Sequence, residues 1–349
     1  MTARERVKRC VDFDHPDRVP RDIWLLPIAW EQHGRGAVEA FLRRWPTDFG
    51  RPDVPNPKLQ ALVEGDPCAV GLHRDEWGCV FVNVQAGVIG QVKRPILDDW
   101  SRLEDLRPPL AALEFDIAEA DRRCRASDRF ILADCCPRPF ERMQFLRGTE
   151  RLLRDIARDP PELHALIELV HGFYCREVER WSRTAVDGIM FMDDWGSQRG
   201  LLISPTRWRQ LFKPLYGDYA RLAHAAGKKV FMHSDGCIFD IFDDLIEIGV
   251  DAINSQLFCM DLARIGQRFR GRISFWGEID RQHVLPAENA EAARQAVRAV
   301  VEHLYDPAGG VIAQFELGGG ARLANAEAVF QTWCELTGGS AADGPTATT

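Results

Sequence analysis

No run of this 349-residue chain is apolar for long enough to cross a bilayer, since a spanning helix needs about 20 such residues. Its opening stretch, MTARERVKRCVDFDHPDR, is charged where an export signal would carry an apolar core. These absences lead us to expect a cytoplasmic protein with no membrane partner. A basic excess is missing too. Lys and Arg number 44 against 52 Asp and Glu, a formal net charge of -8, which disfavours nucleic acid because phosphates need a basic surface. None of the ten cysteines forms a CxxC pair; without an export signal they read as free thiols, mostly buried. No glycine-rich phosphate loop follows any strand-like run, and that disfavours a nucleotide-binding sheet.

What the chain does have is the material for a core. Apolar residues make up 46% and charged residues 28%, ordinary values for a globular protein. From Phe130 onward short apolar runs alternate with longer stretches of helical period. The runs are FILADC (130–135), GIMFMDD (188–194), KKVFMHSD (228–235), AINSQ (252–256), ISFWGEID (273–280) and GVIAQFE (310–316). They are almost continuously hydrophobic, as strands covered on both faces of a parallel sheet are.

The stretch 204–227 reads as a helix. Ser204 stands at its N-cap, Pro205 at its first position and Gly227 at its end, while Pro214 should kink or break it. Residues 160–181, 242–249 and 289–304 have the same character. Alternation of this kind gives parallel βαβ units, and the length fits an α/β fold of the (β/α)8 TIM-barrel type. We expect one barrel domain over residues 1–337 and a disordered tail over 338–349, which is poor in apolar residues. Residues 71–97 read as a hairpin or meander, an N-terminal β-rich insertion or lid near the barrel mouth.

In such a barrel the active site lies at the C-terminal ends of the strands. The runs end in Asp134, Asp193-Asp194, His233 with Asp235, Asn254 with Gln256, Glu278 with Asp280, and Glu316. One such residue has a bland explanation, because Asp235 with Gly236 could simply cap a turn. Six successive strands ending this way do not, because carboxylates crowded at one rim repel each other and need a cation, a proton or a substrate. His and carboxylate oxygens suit Zn²⁺ with three protein ligands and one open position, and His233 with Asp235 or Glu316 meets that count. Asp193, Asp194 and Glu278 are the candidate catalytic acids. Trp195, Gln256 and Trp276 are the candidate substrate contacts.

The segments FMDDWGSQRGLLISPTRW, KKVFMHSDGCIFDIFDDLIEIGVDAINSQ, ISFWGEIDRQHVLP and GGVIAQFELGGGARLANAEAVF resemble the uroporphyrinogen decarboxylase superfamily. The likeness extends from about Asp75 to Trp333 and implies a (β/α)8 barrel. True decarboxylases of the superfamily carry an N-terminal RQAGR-type segment whose arginines hold the porphyrinogen carboxylates. Here the region reads VPRDIWLLPIAWEQHGRG. A second branch comprises zinc methyltransferases that exchange methyl groups with a corrinoid, some with a His-x-Cys pair and a later Cys as ligands. His233 matches the His, Asp235 stands in place of the first Cys, and Phe315-Glu316 in place of the second.

The resemblance to that branch implies zinc on His233, Asp235 and Glu316, a small O- or N-methylated substrate, and a corrinoid (cobalamin) protein as partner. Oxygen ligands leave zinc a harder Lewis acid, better suited to an ether or alcohol oxygen than to a thiolate. Trp195, Trp276 and Trp77 are placed to stack on an aromatic or corrin ring. Two alternatives stay open. One is a decarboxylase, of a tetrapyrrole or a smaller acid, using Asp193 or Asp194 without metal. The other is a non-catalytic corrinoid- or metal-binding barrel.

Overall fold

A computed structural model describes residues 1–341. Its strands are β1 (Arg21–Leu25), β2 (Phe49–Gly50), β3 (Gly71–Arg74), β4 (Val80–Asn83), β5 (Gln91–Val92), β6 (Phe130–Ile131), β7 (Gly188–Met192), β8 (Lys229–Ser234), β9 (Ala252–Ser255), β10 (Ser274–Trp276) and β11 (Val311–Leu317). Six of them form a curled, all-parallel sheet in the order β1-β11-β10-β9-β8-β7. The remaining arc is the parallel pair β2–β6. It is stitched to β7 by Asp187 N donating to Ile131 O at 2.8 Å and Ala133 N to Gly188 O at 3.0 Å. On its other side Asp48 N donates to Arg21 O at 2.8 Å. Eight parallel strands thus follow one another around a ring.

The ring is filled by Phe49, Phe130, Leu132, Met190, Phe231, Ala252, Trp276 and Ile312. Each Phe, Leu, Met or Ile side chain of this set taken out of water contributes about 1.5–3 kcal/mol. The same cluster includes Val7, Cys10 and Val11 of the helix Ala3–Val11. That helix starts in a capping box between Thr2 and Glu5. It seals the N-terminal end of the barrel, where Gly310 N donates to Cys10 O at 2.8 Å.

The six apolar runs all became strands. The helix expected over 204–227 is present in two pieces, Pro205–Leu211 and Lys213–Ala225, broken at Phe212 just ahead of Pro214. Ser204 caps it by accepting from Arg207 N. β1 and β2 were not foreseen, because one opens on Arg21-Asp22 and the other is two residues long. Residues 71–97 hold an antiparallel sheet, β3-β4-β5. The loop between β3 and β4 sets Trp77 edge-on against Phe173 with ring centres 5.1 Å apart. The expected disordered tail falls largely on 342–349, outside the described residues. Within 338–341, the Ser340 carbonyl accepts from Arg21 Nη2 at 2.8 Å.

Candidate metal and active site

Successive residues of a strand face opposite ways, and the ends of β7 and β8 show what this does to neighbouring acids. Asp193 N still bonds to the β8 backbone at His233 O, 3.1 Å away. Its carboxylate turns out of the barrel, is fully buried, and accepts from Phe140 N at 3.0 Å, Glu141 N at 2.6 Å and the Tyr216 hydroxyl. Two of these donors open the helix Pro139–Arg147. Burial pushes the Asp193 carboxyl well above the usual range. Trp195 lies in the same knot, fully buried, stacked on Phe140 at 4.1 Å and donating to Tyr216 at 2.9 Å.

Asp194 turns the other way, to His233 and Asp235. The loops after β7 and β8 run backbone to backbone here, with Gly196 N donating to Asp235 O at 3.0 Å. Gly236 is required: its φ is +78°, and a Cβ on it would sit 2.2 Å from Gly196 backbone atoms. Asp235 N donates to Asp194 Oδ1 at 3.0 Å. His233 Nε2 is 3.5 Å from Asp194 Oδ1 and 3.5 Å from Asp235 Oδ1. The three ligand atoms lie within 4.8 Å of one another, the one grouping of this kind among the described residues. Asp235 Oδ1 is buried and meets no donor.

These observations fit a metal. Equal spacings of 3.5 Å exceed a good hydrogen bond. They match the edge of a tetrahedron whose centre is about 2.1 Å from each corner, the usual Zn–N and Zn–O bond length. The imidazole is oriented for the same purpose. Asn254 Nδ2 donates to the Trp276 carbonyl and to Gln314 Oε1, so its Oδ1 must face His233 Nδ1, 2.6 Å away. Nδ1 therefore carries the proton and Nε2 presents its lone pair to the two aspartates.

Arg281, which no sequence pattern singled out, ties the rim together. It donates to Asp235 Oδ2, pairs with Glu278 Oε2 at 3.0 Å, and its Nε lies 3.6 Å from Glu316 Oε1. Burial pushes the Glu278 carboxyl up to about 8. Burial also raises Glu316. Burial alone would lower His233, but Asp194 and Asp235 hold it above its ordinary value. Asp194 is the reverse: burial would raise it, and the neighbouring His233 holds it low. Gln256 braces the turn by accepting from Gly236 N at 3.1 Å.

Beside this cluster the barrel mouth contains a cavity of about 410 Å³. Trp24 separates it from the cluster, its ring 4.9 Å from that of His233. Trp276 lines the cavity and donates to Asp22 Oδ2 at 3.0 Å. The structure thus gathers Asp194, His233, Asp235, Glu278 and Glu316, and sets Asp193 and Trp195 apart from them. Arg281 and Trp24 are the functional neighbours that sequence reasoning did not weigh, while Asn254 was counted only as one of the strand-end residues. Of the two that were missed, Arg281 alone carried a signal, one residue past Asp280 in a run already rich in acids.

Comparison with known proteins agrees with this architecture. The profile of the uroporphyrinogen decarboxylase (URO-D) family matches residues 75–333. No curated protein matches the sequence. Among solved structures, a methyltransferase from Methanosarcina mazei superposes with a TM-score of 0.63 at 15% identity, covering 96% of this chain and 99% of that one. An endo-beta-1,4-xylanase from Gloeophyllum trabeum gives a TM-score of 0.45 at 12% identity, over 93% of this chain and 98% of that one. At such identity the first of these shows a shared fold.

Proposed function

Since the chain belongs to the uroporphyrinogen decarboxylase family, we propose that it is a methyl-transferring member: a zinc-dependent methyltransferase that takes a methyl group from a small O- or N-methylated substrate and delivers it to a corrinoid protein. The observation that carries this reading is the grouping of Asp194, His233 and Asp235 around a buried Asp235 oxygen that no protein donor meets. The fold shared with the Methanosarcina mazei methyltransferase supports the reaction class.

Zinc held by those three residues would supply Lewis-acid polarisation of the heteroatom that carries the methyl. The corrinoid of a partner docked over the barrel mouth would supply the methyl acceptor. The chain's own residues do the rest. Asn254 keeps the His233 proton on Nδ1. Glu278, with its carboxyl near 8, keeps a proton at neutral pH. As the carbon–heteroatom bond breaks, that proton passes to the heteroatom and the methyl carbon goes to the acceptor. General-acid help of this kind is worth roughly 10²–10⁴-fold. Arg281 holds Asp235 and Glu316 together against their mutual repulsion and donates to Glu278 at 3.0 Å. Asp193 is fully engaged by three donors, which leaves a metal-free decarboxylase only Asp194 of the two adjacent aspartates.

Metal content tests the reading, measured by mass spectrometry on protein purified without chelator or affinity metal. Near-stoichiometric zinc is expected in the wild type and its loss in His233→Ala and Asp194→Ala. A wild type that stays metal-free after zinc is supplied would overturn it.

A further inference from the structure

The antiparallel sheet β3-β4-β5 has two unlike faces. Its inner face is fixed to the body of the molecule. His73 lies opposite Phe81 in the ladder, and both are buried. Phe81 meets Phe145 of the helix Pro139–Arg147 edge-on at 5.0 Å, and Asp75, just past β3, pairs with Arg142 of the same helix. Side chains alternate along a strand, so Leu72 with its partner Val82, and Arg74 with its partner Val80, point the other way. The same register continued by one residue sets Val70 opposite Val84.

That outer face is apolar and open. Among the described residues the four most exposed large apolar side chains are Val84 at 85%, Leu72 at 69%, Ile89 at 68% and Val70 at 64%. Ile89 sits in the turn between β4 and β5. The other exposed ones lie between 41% and 47%, and one of these is Leu62, beside the segment that bridges to β3 through Glu64. Four side chains of this size so exposed present on the order of 400 Å² of apolar surface. Patches of about 300–600 Å² are the largest on ordinary monomers and are characteristic of interaction sites.

We infer that the chain is a homodimer joined by the outer faces of its two β3-β4-β5 sheets, with Val70, Leu72, Val84 and Ile89 of each copy at the centre. Area and charge both select a second copy. With Leu62, Val80 and Val82 added the face approaches about 500 Å², close to the apolar share (about 65%) of a homodimer face of about 800 Å². Surfaces that partners visit and leave are more polar than this. The chain carries a net charge of -8, which sets two copies against each other elsewhere. On this face Arg74 is already paired with Glu64, Nε to Oε2 at 3.4 Å, and the other members are uncharged. Two copies therefore meet here without net repulsion. The contact is isologous, each copy giving the same patch, so every substitution in it acts twice.

Sedimentation equilibrium on the full chain, over a roughly hundredfold range of concentration, tests this by mass action. The wild type is expected at twice the mass of the chain. Leu72→Asp combined with Val84→Asp places four unpaired carboxylates in the contact and should weaken association about 100-fold or more. Leu72→Ser with Val84→Ser is the milder pair, expected to weaken it about tenfold, and decides the matter if the charged pair does not fold. Leu336→Asp adds a charge at an exposed leucine of the last helix and should leave the dimer intact. Circular dichroism and thermal unfolding check that each variant is folded. A monomeric wild type, a dimer that survives both double substitutions, or one lost equally in Leu336→Asp would each overturn the inference. So would a monomer that pellets with phosphatidylcholine vesicles only while Leu72 and Val84 are intact, which would give the face to a membrane surface instead.

Discussion

Asp193 and Asp194 are neighbours in the chain and belong to different parts of the molecule. Asp193 sits in a dry knot where two helix amides and the Tyr216 hydroxyl use its lone pairs. Asp194 sits on the rim, with one backbone donor and an imidazole 3.5 Å away. In the knot every polar atom of the acid is matched by protein. At the rim acceptors outnumber donors, and Asp235 Oδ1 is left over. A carboxylate's part in the molecule follows from the acceptor capacity it has left, not from its place at the end of a strand.

The largest expected effect separates the two directly. Asp193→Ala strands three buried donors, each costing roughly 1–3 kcal/mol. A loss of about 4 kcal/mol in urea unfolding is expected. Asp194→Ala is expected to cost less than about 1 kcal/mol and to remove the metal. If both variants lost stability equally and both kept zinc, the contrast between knot and rim would be wrong.

A second test asks whether burial alone makes an acid behave like Asp193. Asp22 is also buried and fully bonded, and burial lifts its carboxyl from the usual 3.8 to about 6. Between those values the folded chain holds a proton that the unfolded chain has released. Stability from this group is therefore complete below about pH 4 and is lost as pH rises through about 6. Two units amount to about 3 kcal/mol at most. Asp22→Asn should flatten that decline when urea midpoints are compared at pH 4 and pH 7; an unchanged slope would place its origin elsewhere.

Next in size is the imidazole's support. Asn254→Ala removes the acceptor that fixes the His233 tautomer, and such losses weaken metal binding by about 10–100-fold. Competition with a zinc-binding dye measures it. Ser255→Ala, one residue along β9, should leave zinc affinity unchanged, since the Ser255 hydroxyl bonds to nothing in the protein. Equal losses in both variants would mean that Asn254 supports the strand and not the imidazole.

These contrasts also mark what was legible in the sequence. Strand runs with both faces buried announce themselves, so β6 to β11 and the barrel class were readable, and so was the helix break ahead of Pro214. The acids at strand ends were readable as a set. Their division was not, because Asp193 and Asp194 part by facing opposite sides of one strand end, and which side meets the rim depends on where Phe140, Glu141 and Tyr216 pack. β1 escaped notice because Arg21 and Asp22 interrupt its apolar pattern, and with it went Trp24 and the floor of the cavity. Arg281 was hidden for a different reason. An arginine after a strand is ordinary until Asp235, Glu278 and Glu316 are brought to it from three separate segments.

The smallest expected effect concerns Glu316, the residue that strand-end position alone nominates as a zinc ligand. In the structure its Oε1 lies 3.6 Å from Arg281 Nε, and Asp194 takes the third place beside His233 and Asp235. Glu316→Gln keeps the shape and removes one charge from the rim. A partly exposed charge that does not touch the metal changes its affinity weakly, here by about threefold or less, while Asp194→Asn should lose zinc altogether. Both variants titrated against the same dye give the answer. The reverse order would make His233, Asp235 and Glu316 the ligand set and free Asp194, the more exposed of the two acids, to meet the substrate. The metal would then lie on the Arg281 side of His233, and that arginine would have to release Glu316 for zinc to bind.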